Sequence, residues 1–263
     1  MRSPIDMPLV RSGRIDLHYE SYGEGAPVVF LHGLHGNTLS WFQQVPELSA
    51  WFRCVLVDMR GCKHSICRPE DAHPRSFVDD IRAILDAEKI ERAAFACHGL
   101  GAWAGLPLAV RHPERVACLA LSGSSNPAYS PEAWAIVQRE IAQAGARGDT
   151  PAFSPRFAKD RPDLVRLHTS IGRLNGSWNI AALGEDECKL HPEQFVGFAV
   201  PTLLMRGSED PLVSAEALTA AAALVPGAKA FTFEGCGDSP YFERPPLYNR
   251  VLHSFFRQSN WGR

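Results

Sequence analysis

Residues Ala93 to Trp103, Ala-Ala-Phe-Ala-Cys-His-Gly-Leu-Gly-Ala-Trp, constrain this chain more than any other stretch. The apolar run Ala93–Ala96 reads as a strand buried on both faces. It stops at Cys97-His98-Gly99-Leu100-Gly101, and a helix-like segment, Ala102–His112, begins at once. The glycines in that stop permit a turn too sharp for most side chains. A strand that passes straight into a helix predicts a parallel sheet built from more such units.

The flanking sequence supplies them. Asp16–Tyr22 alternates as a strand does, with Gly23-Glu24-Gly25 as its turn. Pro27–Leu31 is a short apolar strand ending in His32-Gly33-Leu34-His35-Gly36, and Asn37 or Thr38 can cap a helix through Trp41. Further strands are read at Cys54–Val57, Arg92–Cys97, Val116–Ser122, Pro201–Met205 and Ala228–Phe233. Helices are read at Phe77–Lys89, Ala215–Leu224 and Leu247–Phe256. Residues 124–198 break this rhythm: Asn126-Pro127, Ser130-Pro131 and Ser154-Pro155 punctuate amphipathic helical segments. The expectation is an α/β fold of one domain, a core of residues 1–123 and 199–263 with a helical lid inserted at 124–198.

Charge and cysteine usage narrow the function classes. A net charge of -2 and a pI near 6.5 argue against nucleic acid or an anionic membrane as partner. Seven scattered cysteines, an odd number without C-x-x-C pairs, read as free thiols in a reducing compartment and give no metal-ligand spacing. The Met-Arg-Ser-Pro-Ile-Asp start lacks the apolar run of a signal peptide, and no stretch is long and apolar enough to span a bilayer. A cytoplasmic protein acting on a small molecule, without metal or cofactor, is expected; a homo-oligomer is left open.

Six motifs in order resemble the α/β-hydrolase superfamily, in its lidded single-domain group of carbon–carbon bond hydrolases, esterases and haloperoxidase-like proteins. They are Leu31-His32-Gly33, Asp58-Met59-Arg60-Gly61, the 97–101 turn, Arg111-His112-Pro113-Glu114-Arg115-Val116, Arg206-Gly207-Ser208-Glu209-Asp210 and Gly235-Cys236-Gly237-Asp238-Ser239-Pro240. The resemblance implies a mostly parallel twisted sheet with helices on both faces, and a nucleophile elbow at residues 97–101. It also implies a Ser-His-acid triad, and here the chain departs from it. The serine position is Gly99, the histidine position is Asp238, and only the acid position, Asp210, is filled. Glycine has nothing to attack with, so neither a serine nor an aspartate nucleophile is available at the elbow.

Backbone donors do not depend on side-chain identity. The resemblance assigns the oxyanion hole to the N–H groups of Leu34 and Leu100, which can still hold a polarised carbonyl oxygen. It also brings Asp238 close to Asp210, and two neighbouring carboxylates resist double ionisation, so one can hold a proton as acid or base. The competing reading makes both of them hydrated loop carboxylates. His35 is the replacement base that loop position suggests. His98, beside the elbow residue, reads as a packing residue; Cys97 points into the sheet, Cys236 fills a small-residue slot, and Asp58 and Arg60 brace the fold. Trp41, Trp103, Trp178 and Tyr241 are candidates to line an apolar pocket. Three functions compete: an acid–base enzyme without a covalent intermediate, acting on a largely apolar carbonyl compound; a catalytically silent ligand- or partner-binding protein; and a hydrolase with a relocated nucleophile such as Ser124 or Ser239, neither of which sits on an elbow.

Overall fold

Alternation along the central strands decides the architecture. In β3 (Pro27–Leu31), Val28 and Phe30 face one layer with Trp41, Phe52, Leu252 and Phe256, while Val29 and Leu31 face another with Phe77, Ile81 and Leu106. Strand β4 (Arg53–Val57) divides in the same way, Cys54 and Leu56 from Val55 and Val57. Strands with two apolar faces need helices on both sides, and each fully buried aliphatic or phenyl side chain contributes about 1.5–3 kcal/mol.

The computed structural model describes residues 8–146, 152–176, 178 and 180–262. Its sheet has eight strands in the order β1-β2-β4-β3-β5-β6-β7-β8. The remaining strands are β1 (Leu9–Ser12), β2 (Ile15–Tyr22), β5 (Ala93–His98), β6 (Val116–Ser122), β7 (Thr202–Gly207) and β8 (Lys229–Phe233). β1 pairs antiparallel with β2 and β2 antiparallel with β4, and β3 through β8 form the parallel body. The helices are α1 (Val45–Leu48), α2 (Phe77–Ala87), α3 (Ala102–Arg111), α4 (Pro131–Ala146), α5 (Pro155–Asp160), α6 (Pro162–Gly172), α7 (Ala215–Leu224), α8 (Pro240–Glu243) and α9 (Pro245–Gln258). Among the described residues, no helix is long and apolar enough to cross a membrane.

The departures from the sequence reading are local. β1 escapes the hydrophobic pattern because it is a four-residue edge strand whose side chains are mostly exposed. α2 stops at Ala87 rather than Lys89, since Lys89 takes the left-handed φ of 54° that ends the helix. β5 continues one residue further, to His98, which pairs with Ser122 of β6. Between β6 and β7 the chain builds α4, α5 and α6 and lies over the carboxyl ends of the parallel strands, where open α/β sheets place their sites.

Two residues read as braces are tied into the core. Arg60 grips Asp80 through two hydrogen bonds of 2.6 Å and donates a third, 2.8 Å, to the Asp71 carbonyl. The buried Asp58 carboxylate meets His18 Nδ1 at 2.7 Å and accepts the Thr38 N–H at 2.8 Å. Desolvation alone would raise its carboxyl, but His18, the Thr38 N–H and Lys63 outweigh it, and the net shift is downward.

Candidate active site

The β5–α3 turn passes directly from strand to helix, with Gly99 at its apex. Gly99 has φ +49°, a left-handed conformation that is nearly free for glycine and strained for serine. A Cβ placed there would meet only Gly33 Cα at 3.2 Å and the Gly123 carbonyl at 3.8 Å. The position therefore opens onto a cavity of about 380 Å³ that Gly99, Leu34, Leu100, His98 and Asp238 all line.

Leu34 follows β3 on a loop anchored by His32. The His32 Nδ1–H donates to the Gly33 carbonyl at 2.7 Å, and Nε2 accepts the Met59 N–H at 3.0 Å. Burial lowers the His32 pKa to about 4, which keeps the ring neutral as this pairing requires. The Leu34 N–H has no protein acceptor among the described residues, and Leu100 lies in the first turn of the elbow helix, where N–H groups lack intrahelical partners.

Asp210 follows β7 and is buried. Its Oδ1 accepts the N–H groups of Leu212 and Val213 at 2.8 and 3.0 Å, and its Oδ2 is left without a partner. Burial first, and the nearby Asp238 charge second, push this carboxyl well above the ordinary range, so it favours the protonated acid. Asp238 keeps 16% of its side chain exposed, which makes it the member of the pair that meets the cavity.

The sequence reading missed the partner of Asp238. His98 Nε2 lies 3.4 Å from Asp238 Oδ2, while Nδ1 is buried with no partner. In its neutral form His98 therefore carries its proton on Nε2, facing Asp238, because an N–H at Nδ1 would go unsatisfied. The ring has room only because both neighbours are glycine. A Cβ at Gly33 would come within 2.8 Å of Cδ2, and one at Gly123 within 2.7 Å of Cε1. His98 is thus more than the packing residue expected. The sequence held a signal: His98 sits next to Gly99, in a chain where the resemblance expects a histidine at the position of Asp238.

The other candidates separate. Trp103, Trp178 and Tyr241 line the cavity, and the Tyr241 ring lies 4.7 Å from His98, tilted by 56°. Trp41 does not line it: it is fully buried below, 5.3 Å from Phe30 and 5.0 Å from Tyr241, because the single 3-10 turn Thr38–Trp41 packs against the sheet. This corrects the pocket assignment. His35 lies exposed on the Leu34 loop and lines the cavity, with no hydrogen bond or ion pair to Asp238 or Asp210 among the described residues. Cys97 and Cys236 are buried, and burial pushes both thiols up, to about 12 for Cys236, against any nucleophilic role. Ser239 is buried, and Ser124, though it lines the cavity, spends its Oγ accepting the Asn126 N–H at 3.0 Å.

Outside this cavity His73, Glu185 and Glu187 come together, but His73 Nδ1 accepts the Arg75 N–H at 3.2 Å, so Nε2 carries the proton toward Glu185. That leaves no free lone pair for a metal. The loop bearing Asp238 is joined to the helical insertion instead. Glu243 accepts the Gly237 N–H at 2.7 Å and, from the insertion, the Ser154 hydroxyl at 2.6 Å and N–H at 3.2 Å. The Ser239 N–H donates to the Ala152 carbonyl at 3.0 Å.

A family model described as alpha/beta hydrolase fold matches residues 26–245. The chain is 26% identical to a 2-hydroxymuconate semialdehyde hydrolase of a Pseudomonas species, over 99% of this chain and 98% of the relative. It is also 26% identical to the 2-hydroxy-6-oxononadienedioate/2-hydroxy-6-oxononatrienedioate hydrolase 2 of Pseudomonas putida, over 94% of each. Among solved structures, the enol-lactonase from Burkholderia xenovorans superposes with a TM-score of 0.78 at 22% identity, covering 95% of this chain and all of that one (100%).

Proposed function

The chain belongs to the α/β-hydrolase fold family, and from that premise we propose an acid–base enzyme that acts on a small, largely apolar carbonyl compound without a covalent intermediate. The observation that carries this reading is the convergence on one cavity of three things: the open space over Gly99, the Asp238 carboxylate, and His98 Nε2 at 3.4 Å from it. Full-length relatives that are hydrolases of oxo compounds support the carbonyl class.

In the proposed step the Asp238 carboxylate takes a proton, either from carbon beside the carbonyl or from a water held over Gly99. In the first case the C–H electron pair becomes a C=C bond to the carbonyl carbon. In the second a water lone pair forms a C–O bond at the carbonyl carbon. In both, the C=O π pair moves onto the carbonyl oxygen, where negative charge collects. Leu34 and Leu100 N–H groups receive that charge, and one such donor is worth roughly 10²–10³ in rate. Protonated Asp238 then returns the proton to carbon or to the departing group. Asp210 favours the protonated acid, and His98 Nε2, 3.4 Å from Asp238 Oδ2, lies beside the acting carboxylate. Positioned acid–base help of this kind contributes about 10²–10⁴-fold.

The test is turnover of a panel of small ketones, diketones and esters by wild type and by Asp238→Asn, with intact-mass measurement of quenched reactions. Turnover by wild type without an adduct, and its loss in Asp238→Asn, is the expected result. An adduct on the chain, undiminished turnover in the variant, or compounds that bind and stay unchanged would overturn it.

A further inference from the structure

Opposite Asp238, the helical insertion brings one more chemistry-bearing side chain to the cavity. His168, on α6, lines it and is half-buried. Two phenyl rings fix its orientation edge-on: Phe153 at 5.0 Å and 75°, and Phe242 at 5.4 Å and 89°. A histidine with its ring held between two phenyl edges needs hydrogen-bond partners for its nitrogens. His168 makes no hydrogen bond or ion pair among the described residues, although its elements pack closely. Nor are its nitrogens among the sealed, unpartnered buried atoms, and the residue lines the cavity.

We propose that His168 is a specificity-determining residue that pairs with an uncharged hydrogen-bonding group, a hydroxyl or second carbonyl, on the part of the substrate remote from the reacting centre, and that the site accepts neutral compounds in preference to carboxylates. The proposal rests on the carbonyl-binding reading of this cavity and adds to it what the other end of the ligand must look like.

Three observations carry it. The His168 ring is neutral: burial foremost, then the neighbouring His98 and His35, lower its pKa to about 4 against the opposing pull of Asp238. A neutral imidazole offers one N–H donor and one acceptor, a pattern that a hydroxyl matches from both sides. No lysine or arginine is among the described residues lining the cavity, where the single carboxylate is Asp238. Among these described residues a substrate carboxylate would meet the Asp238 carboxylate and no lysine or arginine, a poor exchange for its water. The remaining wall, Val137, Ile141, Leu183 and Leu212 among it, is apolar and suits an uncharged ligand body.

The experiment is binding, read by quenching of intrinsic tryptophan fluorescence, since Trp103 and Trp178 line the cavity. The probes are 4-(hydroxymethyl)acetophenone, 4-ethylacetophenone and 4-acetylbenzoate, and the proteins are wild type, His168→Leu, His168→Gln and Asp238→Asn. One hydrogen bond gained on binding should favour the hydroxymethyl over the ethyl compound about 3–10-fold in wild type. His168→Leu should erase that preference, His168→Gln should retain part of it, and the benzoate should bind weakest. Asp238→Asn should leave the hydroxymethyl preference intact while improving benzoate binding, which separates this proposal from the catalytic one: turnover can fail while the preference stands, and the reverse. A benzoate bound as tightly as the neutral probes, a preference that survives in His168→Leu, or no binding of any probe would overturn it. Melting temperatures of the two His168 variants show whether each is folded at the assay temperature.

Discussion

Asp58 and Asp210 occupy matching places, each just past the carboxyl end of a parallel strand and each buried, yet they carry opposite chemistry. Asp58 receives His18, the Thr38 N–H and Lys63, and its carboxyl is held low. Asp210 receives two backbone N–H groups on one oxygen, leaves the other unpaired beside a second carboxylate, and its carboxyl is driven high. Burial pushes every carboxyl upward; the number and charge of the donors that answer it decide the sign. A buried acid with all its partners reads as scaffold, whereas one left short of partners reads as a place where a proton is kept for use.

The contrast can be broken by substitution. Asp58→Ala strands the groups around it and should cost about 3–5 kcal/mol, read as a lower urea midpoint. The stability Asp58 supplies is present above its unfolded pKa, about 4, and is lost as the pH falls through its lowered folded value. Asp238→Asn should cut turnover by about 10²-fold or more while leaving the urea midpoint within experimental scatter, since Asp238 sits at the cavity and not in the core. Asp210→Asn should behave in the reverse sense to Asp58. Because the folded carboxyl holds its proton more tightly than the unfolded one, its contribution is complete at low pH and is lost as the pH rises through the raised value. The amide removes that loss, so the variant should gain stability over wild type on the alkaline side in paired melts across pH. The smallest effect belongs to Gly99→Ala: the left-handed backbone should cost about 1–2 kcal/mol, with turnover reduced less than in Asp238→Asn, because no reacting group is removed.

The strands were legible because they are buried on both faces and β-rich: Pro27–Leu31 and Val116–Ser122 stand in the structure with the bounds their apolar runs imply. The loop residues Leu34, Gly99 and Leu100 were expected from the resemblance carried by the 31–33 and 97–101 motifs, and all three line the cavity. Two things were not legible. Trp41 reads as a pocket aromatic because nothing local distinguishes a tryptophan facing the core from one facing a cavity; only the packing of its 3-10 turn against Phe30 settles the matter. His168 carries no motif at all, since it reaches the cavity through the path of an irregular insertion about 70 residues after the elbow. His98 falls between them: its neighbours in sequence identify it, but its partner Asp238 is brought in by the last strand–helix loop.

The Glu243 carboxylate has a consequence for anyone who would exchange the helical insertion for that of a relative. It accepts from Ser154, midway along the inserted segment just before α5, and from Gly237 in the loop that carries Asp238. The insertion is therefore not a cassette with two free ends. A chimera cut at the β6 and β7 junctions inherits the new segment but severs the clasp, and with it the placement of the carboxylate two strands away. The smallest transplantable unit runs from the end of β6 to Glu243, which means that surface and acid–base group travel together.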